Sequence, residues 1–173
     1  MISNAESVNS ITPPLDGLDL CLLDHLQRDA SGSNQALAET VGVSPATALR
    51  RVKRLEASGV IERRVALLSP AHLGTSLTAM VEVTLDRQGA EHLAAFEARA
   101  VADAAVQQCY RTSPGPDLML VCTVADMPAW HALVQRLFTE DANVRNVKTF
   151  FSIHRAKFEP AALLPALASG PNA

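Results

Sequence analysis

The sequence predicts an α+β fold with two domains, and three observations support it. Residues 15–64 contain three segments in which apolar side chains recur at helical spacing, separated by glycine and serine. From about Thr78 the pattern changes to short apolar strands that alternate with two helical segments. The 173 residues are 48% hydrophobic, which suffices for two small cores. We therefore expect a helix-turn-helix followed by a ferredoxin-like β-α-β-β-α-β domain.

The first two helices of the N-terminal domain have clear start and stop signals. Asp16 is expected to cap a helix over 16–28. Ser33 is expected to cap a second, short helix, and Gly42 to end it, because a turn with positive φ costs glycine least.

The third helix is predicted to be two-faced. Ser44 caps it, Pro45 occupies its first position, and Gly59 stops it. At about 100° per residue, one side is apolar. The opposite side is basic, with small residues at its N-terminal end. The apolar side holds Ala48, Val52 and Leu55, the basic side holds Ala46, Thr47, Arg50, Lys53 and Arg54, and Arg51 lies at the flank.

The C-terminal domain is predicted from its alternation of strands and helices. The strands are expected at 78–85, 106–112, 118–124 and 146–154, and the helices at 89–102 and 127–138. Several strands are apolar on both faces, while the helices can cover only one. The second sheet face is therefore expected to meet another subunit, which predicts a homodimer.

These patterns divide the chain into five parts. Residues 1–14 and 159–173 are expected to be flexible tails, 15–64 the helix-turn-helix domain, 65–77 a linker strand and connection, and 78–158 the ferredoxin-like domain.

The charge distribution favours a nucleic-acid partner. The chain has a formal net charge of −3, but residues 44–64 contain six basic and two acidic side chains. A local basic segment of this kind is typical of a surface that binds an anionic partner. In a helix-turn-helix, Ala46, Thr47 and Arg50 would face base edges, and Lys53, Arg54 and the Ser44 end would face phosphates. The alternative is an ordinary solvated basic face, and for Arg51 a structural ion pair is favoured over a base contact.

Other classes of function lack sequence support. The five histidines and three cysteines show no metal-ligand spacing, and nucleotide or hydrolase motifs are absent, so we expect no metal, no cofactor and no enzyme activity. No signal peptide or membrane span is predicted, which indicates a soluble cytoplasmic protein. If 114–117 form a loop, Cys109 and Cys122 would lie opposite each other, and we expect two buried thiols rather than a redox switch.

The sequence resembles the leucine-responsive/asparagine-type (Lrp/AsnC) family of transcription regulators. The matching segments are LDGLDLCLLDHLQRD (15–29), SNQALAETVGVSPATALRRVKRLEASGVIE (33–62), ALLSPAHLG (66–74) and CYRTSPGPDLMLVCTVADM (109–127). The resemblance implies a winged-type helix-turn-helix on double-stranded DNA and a ferredoxin-like domain that dimerises, often assembling to octamers. It also implies a small effector, commonly an amino acid. A sirohaem-decarboxylase-like enzyme on the same two-domain plan is the alternative, which the basic third helix disfavours.

The loop after the second strand of the C-terminal domain is the candidate effector site. The family usually has Gly-acidic-x-Asp there, whereas this chain has Pro114–Gly115–Pro116–Asp117, and two prolines remove two backbone donors. The effector is then changed, weak or absent. The candidate residues are Ser113, Gly115, Asp117, Met127 and Trp130; the alternatives are a plain hairpin turn for the loop and core packing for Met127 and Trp130.

Overall fold

A computed structural model describes residues 14–74 and 76–165. The chain divides into two compact units, one containing the residues up to Leu67 together with those from Glu159 onward, the other Leu68–Phe158. The N-terminal tail predicted over 1–14 lies outside the described residues except for Pro14, and 159–165 are the described part of the C-terminal tail. In that part, the backbone N–H of Ala162 donates to Gln27 Oε1 of the first helix at 3.0 Å.

The three predicted helices of the N-terminal unit are confirmed, with bounds close to those expected. Helix α1 is Gly17–Arg28, α2 is Asn34–Val41 and α3 is Pro45–Ala57. Asp16, Ser33 and Ser44 cap them, and each accepts a hydrogen bond from a backbone N–H in the first turn. Gly42 takes the left-handed conformation at φ 73° and ψ 35°, which lets the chain turn from α2 into α3.

Packing and a hydrogen bond hold α2 and α3 in a fixed arrangement. The side-chain amide of Asn34, at the start of α2, donates to the carbonyl of Pro45 at 2.8 Å. The buried core of this unit consists of Leu22, Leu37, Ala38, Ala48 and Val52, with Leu18, Leu26, Val41, Val43 and Ile61 packed against it. The core side predicted for α3 is thus the side that is buried, and Leu55 is buried with it.

The linker differs from the prediction. No strand forms over 65–69, and a short helix, α4, follows at Pro70–Leu73. Val65, Leu67 and Leu68 are each more than 60% exposed. An extended segment becomes a strand only when a neighbouring strand supplies its hydrogen bonds, and the described residues offer no such neighbour to this one.

The C-terminal unit contains the predicted antiparallel sheet. Its elements are β1 (Leu77–Leu85), α5 (Ala90–Ala102), β2 (Val106–Arg111), β3 (Leu118–Val124), α6 (Met127–Val134) and β4 (Val144–Phe151). The strand order is β2-β3-β1-β4, and every neighbouring pair is antiparallel. This is the ferredoxin-like topology expected from the element order.

The last strand begins and ends earlier than the predicted 146–154. A register shift at Thr84 and Leu85 brings Val144 opposite Leu85, so pairing starts two residues sooner. At the other end, Ser152 donates a final backbone bond to Thr78, and β1 starts only one residue before that partner. His154 therefore lies beyond the sheet.

One face of the sheet carries the core. Alternate residues of β1 and β3 are fully buried there and meet α5 and α6. The end of the predicted 127–138 helix is a wide π-turn, Gln135–Thr139, in which Leu137 and Phe138 are both buried. Within 14–74 and 76–165, no helix is both long and apolar enough to cross a membrane.

Candidate nucleic-acid interface

The outer face of α3 presents a compact set of exposed side chains. Ala46, Arg50 and Lys53 are exposed on the side opposite the buried core residues. Leu49 lies beside them and is 43% exposed, so it belongs to the same candidate surface, although it was not among the residues predicted from the sequence. Its position at the edge of the basic side was visible from the helical spacing, but an apolar residue gave no signal for solvent exposure. The face therefore offers two cations and an apolar contact.

The N-terminus of α3 is capped by Ser44, whose hydroxyl group is also hydrogen-bonded to the side chain of Thr47. Ser44 Oγ accepts from the N–H of Thr47 at 3.2 Å and shares a hydrogen bond with Thr47 Oγ1 at 2.9 Å. The N–H of Ala48 donates to the Ser44 carbonyl at 3.0 Å, and Pro45 has no N–H. The N–H of Ala46 is then the first-turn donor that has no acceptor among the described residues.

Arg51 and Arg54, on the flank of α3, are paired with two carboxylates of α1. Arg51 donates to Asp16 and, at 3.1 Å, to Asp19 Oδ1, while Arg54 donates to Asp19 Oδ2. Arg51 thus forms the structural ion pair that the sequence analysis favoured for it. Arg54, expected to face phosphates, forms one as well.

Asp16 and Asp19 fix each other's position at the start of α1. The N–H of Asp19 donates to Asp16 Oδ1 at 2.9 Å, and the N–H of Asp16 donates to Asp19 Oδ2 at 3.1 Å, which is a reciprocal capping box. Asp19 is completely buried, whereas the Asp16 side chain is 51% exposed. The guanidinium of Arg51 lowers the pKa of Asp16 to about 2, and the two carboxylates in turn raise the pKa of Arg51.

From the sequence, Asp16 was expected only to cap α1, and the ion pairs of Asp16 and Asp19 with α3 were missed. The signal was indirect: two acidic residues at i and i+3 begin an acidic helix, and a cationic helix follows in the same domain. The pairing itself depends on how the helices pack.

The candidate effector loop is braced from within its own unit. Asp117 Oδ2 accepts from the N–H of Leu85 at 2.7 Å and from Gln88 Nε2 at 3.3 Å. The N–H of Asp117 donates to the Val83 carbonyl at 2.9 Å. Gly115 has φ 128°, a conformation that favours glycine, and Ser113, which precedes a cis peptide bond, is exposed. Asp117 therefore ties the start of β3 to the end of β1.

The five candidate effector residues do not form one pocket within one chain. Asp117 lies at the start of β3, whereas α6 with Met127 and Trp130 follows the end of that strand, about 20 Å away at ~3.3 Å per residue. Trp130 is 5% exposed, and its ring meets Phe151 edge-on at 5.3 Å between centroids. Trp130 thus follows the core alternative, whereas Met127 is 44% exposed.

The two cysteines of the sheet are not opposite each other, contrary to the expectation. A register shift between Val106 and Gln108 places Cys109 opposite Leu120 and Cys122 opposite Val106. Cys122 is completely buried, and burial raises its thiol pKa to about 11. Burial also raises the pKa of the half-buried Cys109. Both are free thiols.

Comparison with known proteins assigns both units. The AsnC-type helix-turn-helix domain profile matches residues 15–56, and the Lrp/AsnC ligand binding domain profile matches residues 78–162. An uncharacterised HTH-type transcriptional regulator of Haemophilus influenzae is 35% identical over 90% of this chain and 93% of its own length. The chain belongs to the Lrp/AsnC family. Its basic α3 is the second helix of the family's helix-turn-helix, and its sheet unit is the family's effector-binding domain.

Other Lrp/AsnC proteins share both domains in the same order. The leucine-responsive regulatory protein of Escherichia coli K12 is 34% identical over 83% of this chain and 87% of its own. A crystal structure of a Neisseria meningitidis transcriptional regulator, in complex with L-Met, has a TM-score of 0.79 and 27% identity, covering 87% of this chain and 97% of that one. This Lrp/AsnC chain is a DNA-binding transcriptional regulator, and the sirohaem-decarboxylase alternative is set aside.

Proposed function

We propose that α3 reads DNA in the major groove and that its outward face is the contact surface. Ala46, Thr47 and Arg50 would face base edges, and Lys53 and the Ser44 end would face phosphates. Arg51 and Arg54 belong to the same surface but carry carboxylate partners. The observation that supports this proposal is that α3 has an exposed cationic face, while its opposite side is packed in the apolar core.

We also propose that the chain acts as a homodimer formed through the open face of its sheet. Met80 is opposite both Phe150 and Val121 in the strand register, and Tyr110 is opposite Met119, so these side chains form one patch across the four strands. Phe150 is 51% exposed and Tyr110 55%. The Glu82–Lys148 ion pair lies on the same face beside these side chains. Exposed apolar surface of this kind is typical of an interface. Two heads related by a twofold axis would read an inverted repeat, and octamers would need further contacts between dimers.

We propose further that a small molecule, an amino acid in the first instance, modulates DNA binding from the 113–117 loop. The loop offers the Ser113 hydroxyl, the backbone at Gly115, which has no side chain, and the Asp117 carboxylate. The carboxylate could accept hydrogen bonds from an ammonium group. Asp117 Oδ2 already serves Leu85 and Gln88. Met127 would reach such a ligand only from a second copy of the chain. As a partner of chromosomal DNA, the protein would act in the cytoplasm.

A DNA-binding titration tests the main proposal. Six to eight phosphate contacts per dimer predict a slope of about −5 to −7 in a plot of log K against log salt concentration. The measurement is fluorescence anisotropy with a labelled fragment of the region upstream of the protein's own gene, supported by footprinting. A slope near zero, or free migration of every genomic fragment in a gel shift, overturns the proposal.

Replacing Arg50 separates base reading from phosphate contact. Arg50→Ala is expected to cost about 1–3 kcal/mol on the preferred site and to relax sequence preference. Arg28→Ala is the matched control, because Arg28 is an exposed arginine of α1 paired with Asp24. An equal loss on every DNA sequence would show that Arg50 contacts only phosphate.

Thermal-shift screening tests the effector proposal. A stabilising amino acid should raise the Tm at millimolar concentration, and Ser113→Ala should diminish that rise. The absence of any shift across the twenty amino acids contradicts an amino-acid effector.

A further inference from the structure

The two ion-paired arginines of α3 differ in electrostatic environment from its two outward cations. Arg50 and Lys53 are exposed, and the structure gives neither of them a carboxylate partner among the described residues. Arg51 and Arg54 are partly buried and face Asp16 and Asp19. A carboxylate beside a cation offsets the attraction of that cation to a DNA phosphate, because the field at the phosphate is the sum of both charges.

Asp19 cannot exchange its arginine partners for water. Its side chain is completely buried, and its two oxygens accept from Arg51, from Arg54 and from the N–H of Asp16. If Arg54 turned toward a phosphate, a buried carboxylate would lose one of its two cationic partners, which is strongly unfavourable. The capping box anchors both carboxylates to the first turn of α1, so they are in place before DNA arrives.

We propose that Asp19, assisted by Asp16, is a positioning residue that withholds Arg51 and Arg54 from DNA. Arg50 and Lys53 are then the cations that α3 offers to the duplex. The inference rests on the proposed function of α3 and refines it. Its consequence is selectivity: with half of the basic face neutralised, the sequence-independent phosphate attraction falls, while the base-reading Arg50 stays available.

The test is the salt dependence of binding to an unrelated labelled duplex, measured by fluorescence anisotropy on the full chain. Lys53→Gln is expected to make the slope shallower by about 0.9 per head. Arg51→Gln and Arg54→Gln are expected to leave the slope unchanged. If Arg54→Gln makes the slope as shallow as Lys53→Gln does, Arg54 contacts phosphate and the inference is overturned.

Carboxylate variants test the same point from the other side. Asp19→Asn should release cations, steepen the slope by about one to two per head and raise affinity for unrelated DNA more than for the preferred site. Asp24→Asn is the matched control, because it removes the same charge from the same helix but frees Arg28, which is not on α3. A slope that is unchanged or shallower in Asp19→Asn, relative to this control, overturns the inference.

Asp16→Asn keeps the test informative if Asp19→Asn unfolds. Asparagine caps a helix as well as aspartate does, and Asp16 is half exposed, so this variant should fold while Arg51 loses one partner. A slope steeper than that of Asp24→Asn supports the inference, and equal slopes refute it. If the unmodified protein binds no DNA at all, the proposed function of α3 itself is refuted.

Discussion

Gly42 lies in the turn between α2 and α3. Substitutions there measure how much the left-handed backbone conformation of this turn contributes to the stability of the helix-turn-helix unit. Its φ of 73° lies in the left-handed region, and a Cβ added there would meet no atom within 4 Å. Gly42→Ala therefore introduces conformational strain without a steric clash. Left-handed conformation costs an L-residue about 1–2 kcal/mol, so this strain should lower the free energy of unfolding by about that much relative to an unstrained glycine-to-alanine change.

Two further variants bracket this effect. Gly42→Asn should lose about half as much, because asparagine tolerates the left-handed region better. Gly32→Ala is the matched control: Gly32 has no positive φ and equally open surroundings. It should gain about 0.4–1 kcal/mol, because alanine restricts the unfolded chain. The restriction of the unfolded chain is common to both alanine variants, so the contrast between them is the strain alone, about 1–2 kcal/mol.

Thermal unfolding followed by far-ultraviolet circular dichroism measures this contrast. In a domain of 60–100 residues, 1 kcal/mol shifts the Tm by about 4–8 °C. Trp130, the single tryptophan, belongs to the sheet unit, so its fluorescence serves as an internal reference for that unit. If Gly42→Ala and Gly32→Ala have the same stability, or if alanine and asparagine at position 42 are equivalent, strain in the turn is not the cause.

Three other predictions follow from the sheet face, the thiols and the capping box. Met80→Glu should convert a dimer to monomer in light scattering, since it places a carboxylate in the apolar patch beside Phe150; an unchanged mass contradicts the proposed interface. Cys122 should be alkylated by iodoacetamide last, well after the half-buried Cys21, because it is buried and its pKa is about 11. The Asp16 pKa is about 2 when folded against an ordinary 3.8, so its ion pair stabilises the fold fully above about pH 4, and this stabilisation is lost as pH falls through 2. Asp16→Asn should therefore lose less stability than the parent over that interval in acid titrations, and parallel curves would contradict the assignment.

Much of the N-terminal unit could be predicted because its signals act over a few residues. A serine three positions before a backbone N–H, a glycine after the last helical turn and an apolar residue every three or four positions each involve neighbours in sequence. Ser44, Gly42 and the Val52 side of α3 were therefore identified correctly. The β-α-β-β-α-β order was also readable, because it depends on the order of local periods.

The register in which distant strands pair could not be predicted from these local sequence signals. One register shift between β2 and β3 separates Cys109 from Cys122, and another between β1 and β4 moves the start of the last strand. Such shifts arise from packing across the sheet, and a displacement of one residue changes every opposing pair. The sheet length likewise separates Met127 from the Asp117 loop.

From the sequence alone came the family, the two-domain order and the cationic face of α3, since each is recorded in residue type and spacing along the chain. Only the tertiary structure decided which of those cations are already paired. Asp16 and Arg51, like Asp19 and Arg54, are 35 residues apart, and they meet because α1 and α3 share one apolar core. The sequence shows which residues carry a charge. Ion pairs between residues so far apart in the chain form only when the helices pack, so the sequence alone does not show which charges are paired.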